Sequence, residues 1–290
     1  RTVGLSFSSP MAKSMVLFGA PFIISNLGDF ILTFSDRYFL KAYADLTMVG
    51  IYSLGYKLGF VLWMFPVQPI LHIWSPQRFE IAKKPDAQQT NSRVFFFFNL
   101  LIVSVALGIS LFSHDLFRIM SAPGFWDAYK IVPLIMVAYI VQAWTAFGNF
   151  GVMYSGKTRY IALGTVAAAF SIIIFSFMLI PAFHAFGAAV ATILAFIVRF
   201  SIIYFYSQRE FPLKLPWGKC AMMLSTAALV YLLSLVFQQE NIIASIMVNC
   251  ISFVSYIVCL MVLPTFTMIE KRTILNLVLH PVKTIRMKGI

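Results

Sequence analysis

The sequence predicts an all-α, polytopic membrane protein, and three observations carry that prediction. Eight long apolar stretches divide the chain, at Met15–Ser35, Met48–Trp74, Val94–Ser113, Ile131–Met153, Tyr160–Ala182, Ala185–Tyr206, Cys220–Phe237 and Ile242–Pro264. Each is close to or above the roughly 20 residues that cross a hydrocarbon core about 30 Å thick. The composition, 60% hydrophobic and 11% charged, is far from the about 25% charged of a soluble domain. The basic residues are also sorted by loop. Sixteen lie on one side: Arg1, Lys13, Arg78, Lys83, Lys84, Arg93, Lys157, Arg159, Arg209, Lys214, Lys219, Lys271, Arg272, Lys283, Arg286 and Lys288. Arg37, Lys41, Arg118 and Lys130 lie on the other, and Lys57 and Arg199 fall inside spans. Basic loops resist translocation, so this split predicts a multi-pass protein with both ends of the chain in the cytoplasm. Ten-residue segments of alternating polarity, the mark of an outer-membrane barrel, are absent.

Four parts follow in order: a cytoplasmic lead-in (1–14), a six-helix bundle (15–206), two additional helices (207–264) and a basic, partly amphipathic cytoplasmic tail (265–290). The second span carries Pro66 and Pro69, which remove backbone donors, so a bent helix is expected there. Its Gly55 and Gly59 form a small-xxx-small pair that admits a close neighbour. Two longer loops are expected: Ser75–Arg93, with a short surface helix followed by a turn, and His114–Lys130, with a turn at Ala122-Pro123-Gly124. Gly156–Arg159 and Gln238–Asn241 are short enough to be tight turns between antiparallel neighbours. The chain opens on Arg1 without a signal-peptide pattern, so the expectation is either a fragment of a longer protein or a chain whose true start has been removed.

The net charge of +12 is spread over short loops that flank spans, which argues for topology and anionic lipid contact rather than nucleic acid. Cys220, Cys250 and Cys259 have no metal-ligand spacing and read as small core residues. The four histidines are scattered, and no catalytic or cofactor pattern emerges, so neither an enzyme nor a cofactor is expected. Gly151 to Thr158 spells the phosphate-loop pattern G-x-x-x-x-G-K-T. That loop needs a strand before it and a soluble helix after it, whereas here one apolar span runs into another, so the segment reads as a turn.

Polar residues inside the spans mark the candidate site. In the first span Ser25, Asn26, Asp29, Thr33 and Asp36 project within one arc of about 100° at about 100° per residue. Tyr139, Gln142, Thr145 and Asn149 form a second stripe on the fourth span, and Ser53 and Lys57 share a face of the second. Neutral residues of this kind serve as interhelical hydrogen-bonding glue or line a cavity. An ionisable group within a bilayer costs about 2.5 to 3.5 kcal/mol even on insertion scales, which directs Lys57, Asp29 and Arg199 toward a watery path or toward one another. Arg199, near the cytoplasmic end of its span, could also snorkel.

Ser35-Asp36-Arg37-Tyr38-Phe39-Leu40, followed by Val49-Gly50-Ile51-Tyr52-Ser53-Leu54-Gly55-Tyr56-Lys57, resembles a passage of the polysaccharide-biosynthesis flippases of the multidrug/oligosaccharidyl-lipid/polysaccharide exporter superfamily. The resemblance continues through Asp127–Pro133, Tyr154–Thr158 and Gly187–Thr192. It implies two six-helix lobes around a central cavity, with this chain at helices seven to fourteen and an N-terminal lobe as a partner. The implied activity is transport of a polyprenyl-pyrophosphate-linked oligosaccharide from the cytoplasmic to the outer leaflet of the inner membrane by alternating access. Membrane lipids, polysaccharide polymerases and glycosyltransferases are the further partners implied. A small-molecule or drug exporter of the same superfamily is the alternative, followed by a membrane glycosyltransferase or acyltransferase. On the flippase reading Lys57 is the first candidate for the pyrophosphate and Arg37, at the outer mouth, the second. Asp29 is a candidate for titration or a coupling cation, and Gln142, Asn149 and Arg199 are candidate cavity residues. The competing view of Lys57 is an internal ion pair with Asp29.

Overall fold

The computed structural model describes residues 8–237, 239 and 241–262, and every regular element among them is helical. The predicted tail 265–290 and the first seven residues of the lead-in lie outside the described residues, as do Gln238 and Glu240 of the predicted turn Gln238–Asn241. In order the elements are α1 (Ser9–Tyr43), α2 (Leu46–Leu62), a π-helical turn (Trp63–Val67), α3 (Gln68–Ile81) and α4 (Ala87–Met120). A 3-10 segment (Pro123–Lys130), α5 (Val132–Gly148), α6 (Phe150–Tyr154), α7 (Arg159–Glu210), α8 (Trp217–Val236) and α9 (Ile242–Val262) follow. Six helical stretches among the described residues are long and apolar enough to cross a bilayer: Leu46–Ile81, Ala87–Met120, Val132–Tyr154, Arg159–Glu210, Trp217–Val236 and Ile242–Val262. The chain is an all-α polytopic membrane protein.

Local chemistry explains where the helices start and bend. Proline stands in the first turn of α1, the 3-10 segment and α5, where its missing N–H costs no hydrogen bond. Asp45 caps α2 by accepting the Met48 amide at 2.7 Å. Where the bend is predicted, a π turn surrounds Pro66 and lets the helix continue although one rung of its ladder has lost a donor.

At 52 residues, α7 would be about 78 Å long if straight, more than twice a hydrocarbon core. It is instead a hairpin that turns at His184, whose φ of 47° and ψ of −123° break the helix. Residues 179 and 187 would stand about 12 Å apart along a straight helix, yet a Cβ on Gly187 would lie 2.3 Å from the Leu179 carbonyl oxygen. At the other end of the hairpin Tyr160 stacks on Tyr206, with ring centroids 4.0 Å apart. The two arms contain the fifth and sixth predicted spans. Because the obstacle is backbone, Gly187→Val is expected to cost at least the roughly 1–3 kcal/mol of core overpacking. Fluorescence-detected gel filtration of the solubilised variant should show the monodisperse peak lost.

The chain divides into two compact units, Arg1–Leu215 and Pro216–Ile290. In the first, α1 packs along α7, with Gly28 against Thr165 of the first arm and Asp29 on Arg199 of the second, and α7 packs on α5. Its centre includes Leu32 of α1, Ala138 and Val141 of α5, and Ala168, Ile172, Ala195 and Phe196 of α7. Small residues allow these close approaches. Gly59, one of the predicted pair, faces α5 so tightly that a Cβ would fall 2.4 Å from the Tyr139 ring. In the second unit, α8 and α9 pack together, and the buried positions of α8 (Cys220, Met223, Ala227, Val230, Ser234) recur at helical spacing.

Two expected loops are mostly helix. Ser75–Arg93 contains the end of α3, a turn at 82–86 and the start of α4. Pro76 is accommodated inside α3, and Asn91 and Thr90 turn their polar groups back onto the chain, Asn91 donating to the Ala87 carbonyl at 2.8 Å and Thr90 to the Asp86 carboxylate at 3.1 Å. His114–Lys130 likewise begins as the last turns of α4, because Asp115 and Phe117 are buried.

The phosphate-loop lettering has a structural use throughout. The Gly151 amide donates to Ser207 Oγ at 2.8 Å, Gly156 makes the turn with a φ of 69°, and Lys157 pairs with Glu210 at 2.8 Å.

Candidate functional site

The first polar stripe meets α2 at the Tyr43 end of the bundle. Asp36 is fully buried and its carboxylate is divided between two helices. One oxygen accepts the Arg37 amide at 2.8 Å and faces the Arg37 guanidinium at 3.2 Å, while the other accepts the Tyr52 hydroxyl at 2.5 Å. Thr192, on the second arm of α7, places its Oγ1 3.2 Å from the same Tyr52 hydroxyl. One carboxylate thus joins α1, α2 and α7, and a buried charge is tolerated when its partners are this complete.

The arginine beside it points outward from this anchor. Arg37 donates through Nε to Ser53 Oγ at 3.2 Å and through a terminal nitrogen to the Thr33 carbonyl. Its guanidinium carbon stands 4.7 Å from the Tyr56 ring centroid, 5.3 Å from Phe34 and 5.7 Å from Tyr52. Stacking of this kind holds a weakly hydrated planar cation without discharging it. Tyr56 is in turn held against Tyr139 of α5, with centroids 5.6 Å apart.

Outside Arg37 lies a groove of about 400 Å³, lined by Phe30, Phe34, Arg37, Tyr38, Lys41 and Val49. Two cations and no carboxylate line it, because the nearby Asp36 is buried on the other side of the arginine. Such a groove suits an anion attached to apolar matter.

The other predicted residues are distributed around this centre. Lys57 is exposed, one turn along α2 from Ser53, the hydroxyl that Arg37 bonds. The Lys57–Asp29 ion pair is not formed. Asp29 pairs with Arg199, Oδ1 to Nη1 at 2.7 Å, across α1 and the second arm of α7. Arg199 therefore neutralises a carboxylate instead of snorkelling. Asn26 is exposed, and the Ser25 side chain lies outside the described residues. On α5, Tyr139 and Thr145 are buried and Gln142 is half-buried, while Asn149 stands at the break between α5 and α6 with its side-chain oxygen buried. The second stripe therefore packs, in part, against Gly59 of α2 rather than lining the groove.

Three features escape a reading by hydropathy. Tyr52 and Tyr56 look like ordinary apolar-span aromatics, although their spacing of four residues puts both hydroxyl-bearing rings on one face. Lys41, counted among loop bases, belongs to the groove. Arg78, also counted as a loop base, is buried at 4% exposure, lies over Phe150 at 5.2 Å and donates to the Phe147 carbonyl at 3.4 Å, near the end of α5. A cation there complements the C-terminal end of a helix.

The Asp29–Arg199 pair gives a double-mutant test. Arg199→Met strands a carboxylate and is expected to lower thermal stability in detergent. Adding Asp29→Met should recover most of the loss, because replacing both partners of such a pair by apolar groups is close to neutral.

Residues 4–76 match the family model described as polysaccharide biosynthesis protein, and no curated protein matches the chain. The matched stretch contains α1, α2 and all six residues that line the groove. Over that stretch the chain is similar to polysaccharide biosynthesis proteins.

Proposed function

We propose that the chain acts in a transporter that carries a polyprenyl-pyrophosphate-linked oligosaccharide across the inner membrane, from the cytoplasmic to the outer leaflet, and that the Arg37–Lys41 groove receives the pyrophosphate. The single observation that carries the reading is a groove with two cations and aromatic walls, within the stretch 4–76 that matches a polysaccharide-biosynthesis family model. Within a low-dielectric setting an unpaired diphosphate is prohibitive, and a cation close to it recovers much of that cost. Arginine is suited to this task because its guanidinium can meet phosphate oxygens with two donors.

On this reading Arg37 is kept ready by Asp36 and the tyrosines, and Lys41 supplies the second charge. Lys57, one turn deeper on α2, receives the head group as it moves inward. The groove lies at the outer end when both ends of the chain are cytoplasmic, as the distribution of bases supports. A cationic drug would be repelled by the same two residues, which favours the lipid-linked anion over an exporter of such compounds.

The test is genetic. The gene carrying this chain, expressed as the genome encodes it, is expected to restore surface glycan to a strain lacking its own lipid-linked-oligosaccharide flippase. The Lys57→Ala variant should express normally and restore little, with Lys57→Arg intermediate. Failure of the unmodified gene to restore any glycan, together with transport of a free cationic compound, would favour the exporter reading.

A further inference from the structure

The groove at Arg37 flanks α1. A second, smaller one of about 120 Å³ lies between α1 and the first arm of α7, with Leu27, Gly28 and Ile31 on one wall and Ala169, Phe170 and Ile173 on the other. Its lining is wholly apolar, in contrast to the first groove with its two cations.

The two grooves are joined along the surface of α1. Leu27, Phe30, Phe34, Tyr38 and Lys41 project within about 80° of one another at about 100° per residue. All five are exposed, Leu27 at 64%, Phe30 at 57%, Phe34 at 42% and Tyr38 at 71%. Phe30 and Phe34 touch, with ring centroids 4.9 Å apart, so the middle of the ridge between the grooves is aromatic. The acidic residues of the same helix are turned off this strip, Asp36 into the core and Asp29 toward Arg199. From Lys41 to Leu27 the strip is about 21 Å long, most of the depth of a hydrocarbon core.

From this arrangement we infer that the strip is a track for the hydrocarbon tail of the phosphate-bearing lipid whose head occupies the Arg37–Lys41 groove, and that the tail ends in the small groove at Gly28. The inference rests on the head-group reading above. Charge at one end only sets the polarity of the ligand: the diphosphate lies by Lys41 and Arg37, and the chain runs over Phe34 and Phe30 toward Leu27. An apolar face alone would be unremarkable in a bilayer, because lipid tails are as apolar as leucine and provide no hydrophobic drive of their own. Selectivity for the substrate's tail over bulk lipid arises from tethering, since a head held in the first groove raises the local concentration of its own chain over the strip.

The experiment uses the full protein in nanodiscs with two photoreactive lipids, a long-chain polyprenyl diphosphate and a phosphatidylglycerol, each with a diazirine in the tail. Cross-linked peptides are mapped, and retention of the diphosphate is measured separately. The polyprenyl probe is expected to label 27–34 and 166–173 about tenfold more than the α9 segment 243–262, a ratio equivalent to about 1.4 kcal/mol. The phosphatidylglycerol probe should label the three segments evenly. Arg37→Gln combined with Lys41→Gln should reduce retention of the diphosphate and abolish the tail preference together, and Ile173→Trp, which fills the small groove, should reduce labelling of 27–34. Even labelling by a polyprenyl probe that is still retained through Arg37 and Lys41 would overturn the tail track and leave the head-group reading standing. Equal preference of phosphatidylglycerol for the strip would make it an ordinary lipid surface. Retention indifferent to both basic residues would overturn the head-group reading and the track with it.

Discussion

Arg37→Gln is expected to reduce translocation of the lipid-linked oligosaccharide by about a hundredfold. Truncating one partner of a desolvated charge pair costs about 2–5 kcal/mol, and about 2.7 kcal/mol is already two decades at about 1.4 kcal/mol per decade. The substitution has a second consequence that must be separated from the first. It removes the guanidinium that stands 3.2 Å from the buried Asp36, and so destabilises the junction of α1 and α2. The pair Arg37→Gln with Asp36→Asn removes both charges and is expected to fold while remaining inactive. Arg37→Lys keeps the charge but loses the planar fork, so partial transport is expected. Uptake of the lipid-linked oligosaccharide into protein-containing vesicles gives the readout, with gel filtration reporting the fold of each variant. Full activity in the folded double variant would remove Arg37 from the mechanism.

Asp36→Leu is expected to give the largest loss of stability of any single side-chain change near the groove, about 3–5 kcal/mol. That is the cost of removing one member of a buried ionic network and leaving its partners uncompensated. The partners are named by the geometry: Arg37 at 3.2 Å and the Tyr52 hydroxyl at 2.5 Å. Tyr52→Phe alone leaves the carboxylate with Arg37 and should cost about 1–3 kcal/mol. In the double variant the two losses should add to less than their sum, since each removes the same hydrogen bond. Thermal unfolding in detergent measures all three, and strict additivity would argue that the contact contributes nothing.

Much of the architecture is legible in the chain before any coordinates. Hydropathy locates spans well because the bilayer imposes length and apolarity on each helix separately. The break at His184 falls in the two-residue gap between the fifth and sixth apolar runs, and the π turn at Pro66 follows from a missing donor. The short helix and the turn expected in Ser75–Arg93 are present, but the limits of that loop and of His114–Lys130 mislead for a physical reason. A helix continues past the hydrocarbon boundary wherever it still has a protein surface to pack on, as Asp115 and Phe117 do, and composition alone cannot show that surface.

The site is legible in part. Thr33 and Asp36 of the first stripe both meet Arg37, and Arg37 and Ser53 are brought together. Pairing is what periodicity leaves undetermined. Asp29 has two cations within plausible reach on a helical projection, Lys57 and Arg199, and only the relative rotation of α1, α2 and the second arm of α7 selects Arg199. Depth is undetermined in the same way, since Lys41 and Arg78 count equally as loop bases, yet one lines a groove and the other is buried beneath Phe150.

The central claim is that the groove binds a phosphate head, and equilibrium binding of a polyprenyl-diphosphate oligosaccharide to the purified protein in nanodiscs tests it most directly. Lys41→Gln is the informative variant because Lys41 is exposed and its loss leaves the Asp36 network untouched. Affinity is expected to fall about tenfold, the equivalent of about 1.4 kcal/mol, with an unchanged melting temperature, and an uncharged polyprenyl glycoside of the same chain length should bind weakly to wild type and variant alike. Equal affinity for the charged and uncharged ligands, with Lys41→Gln and Arg37→Lys both without effect, would contradict the claim.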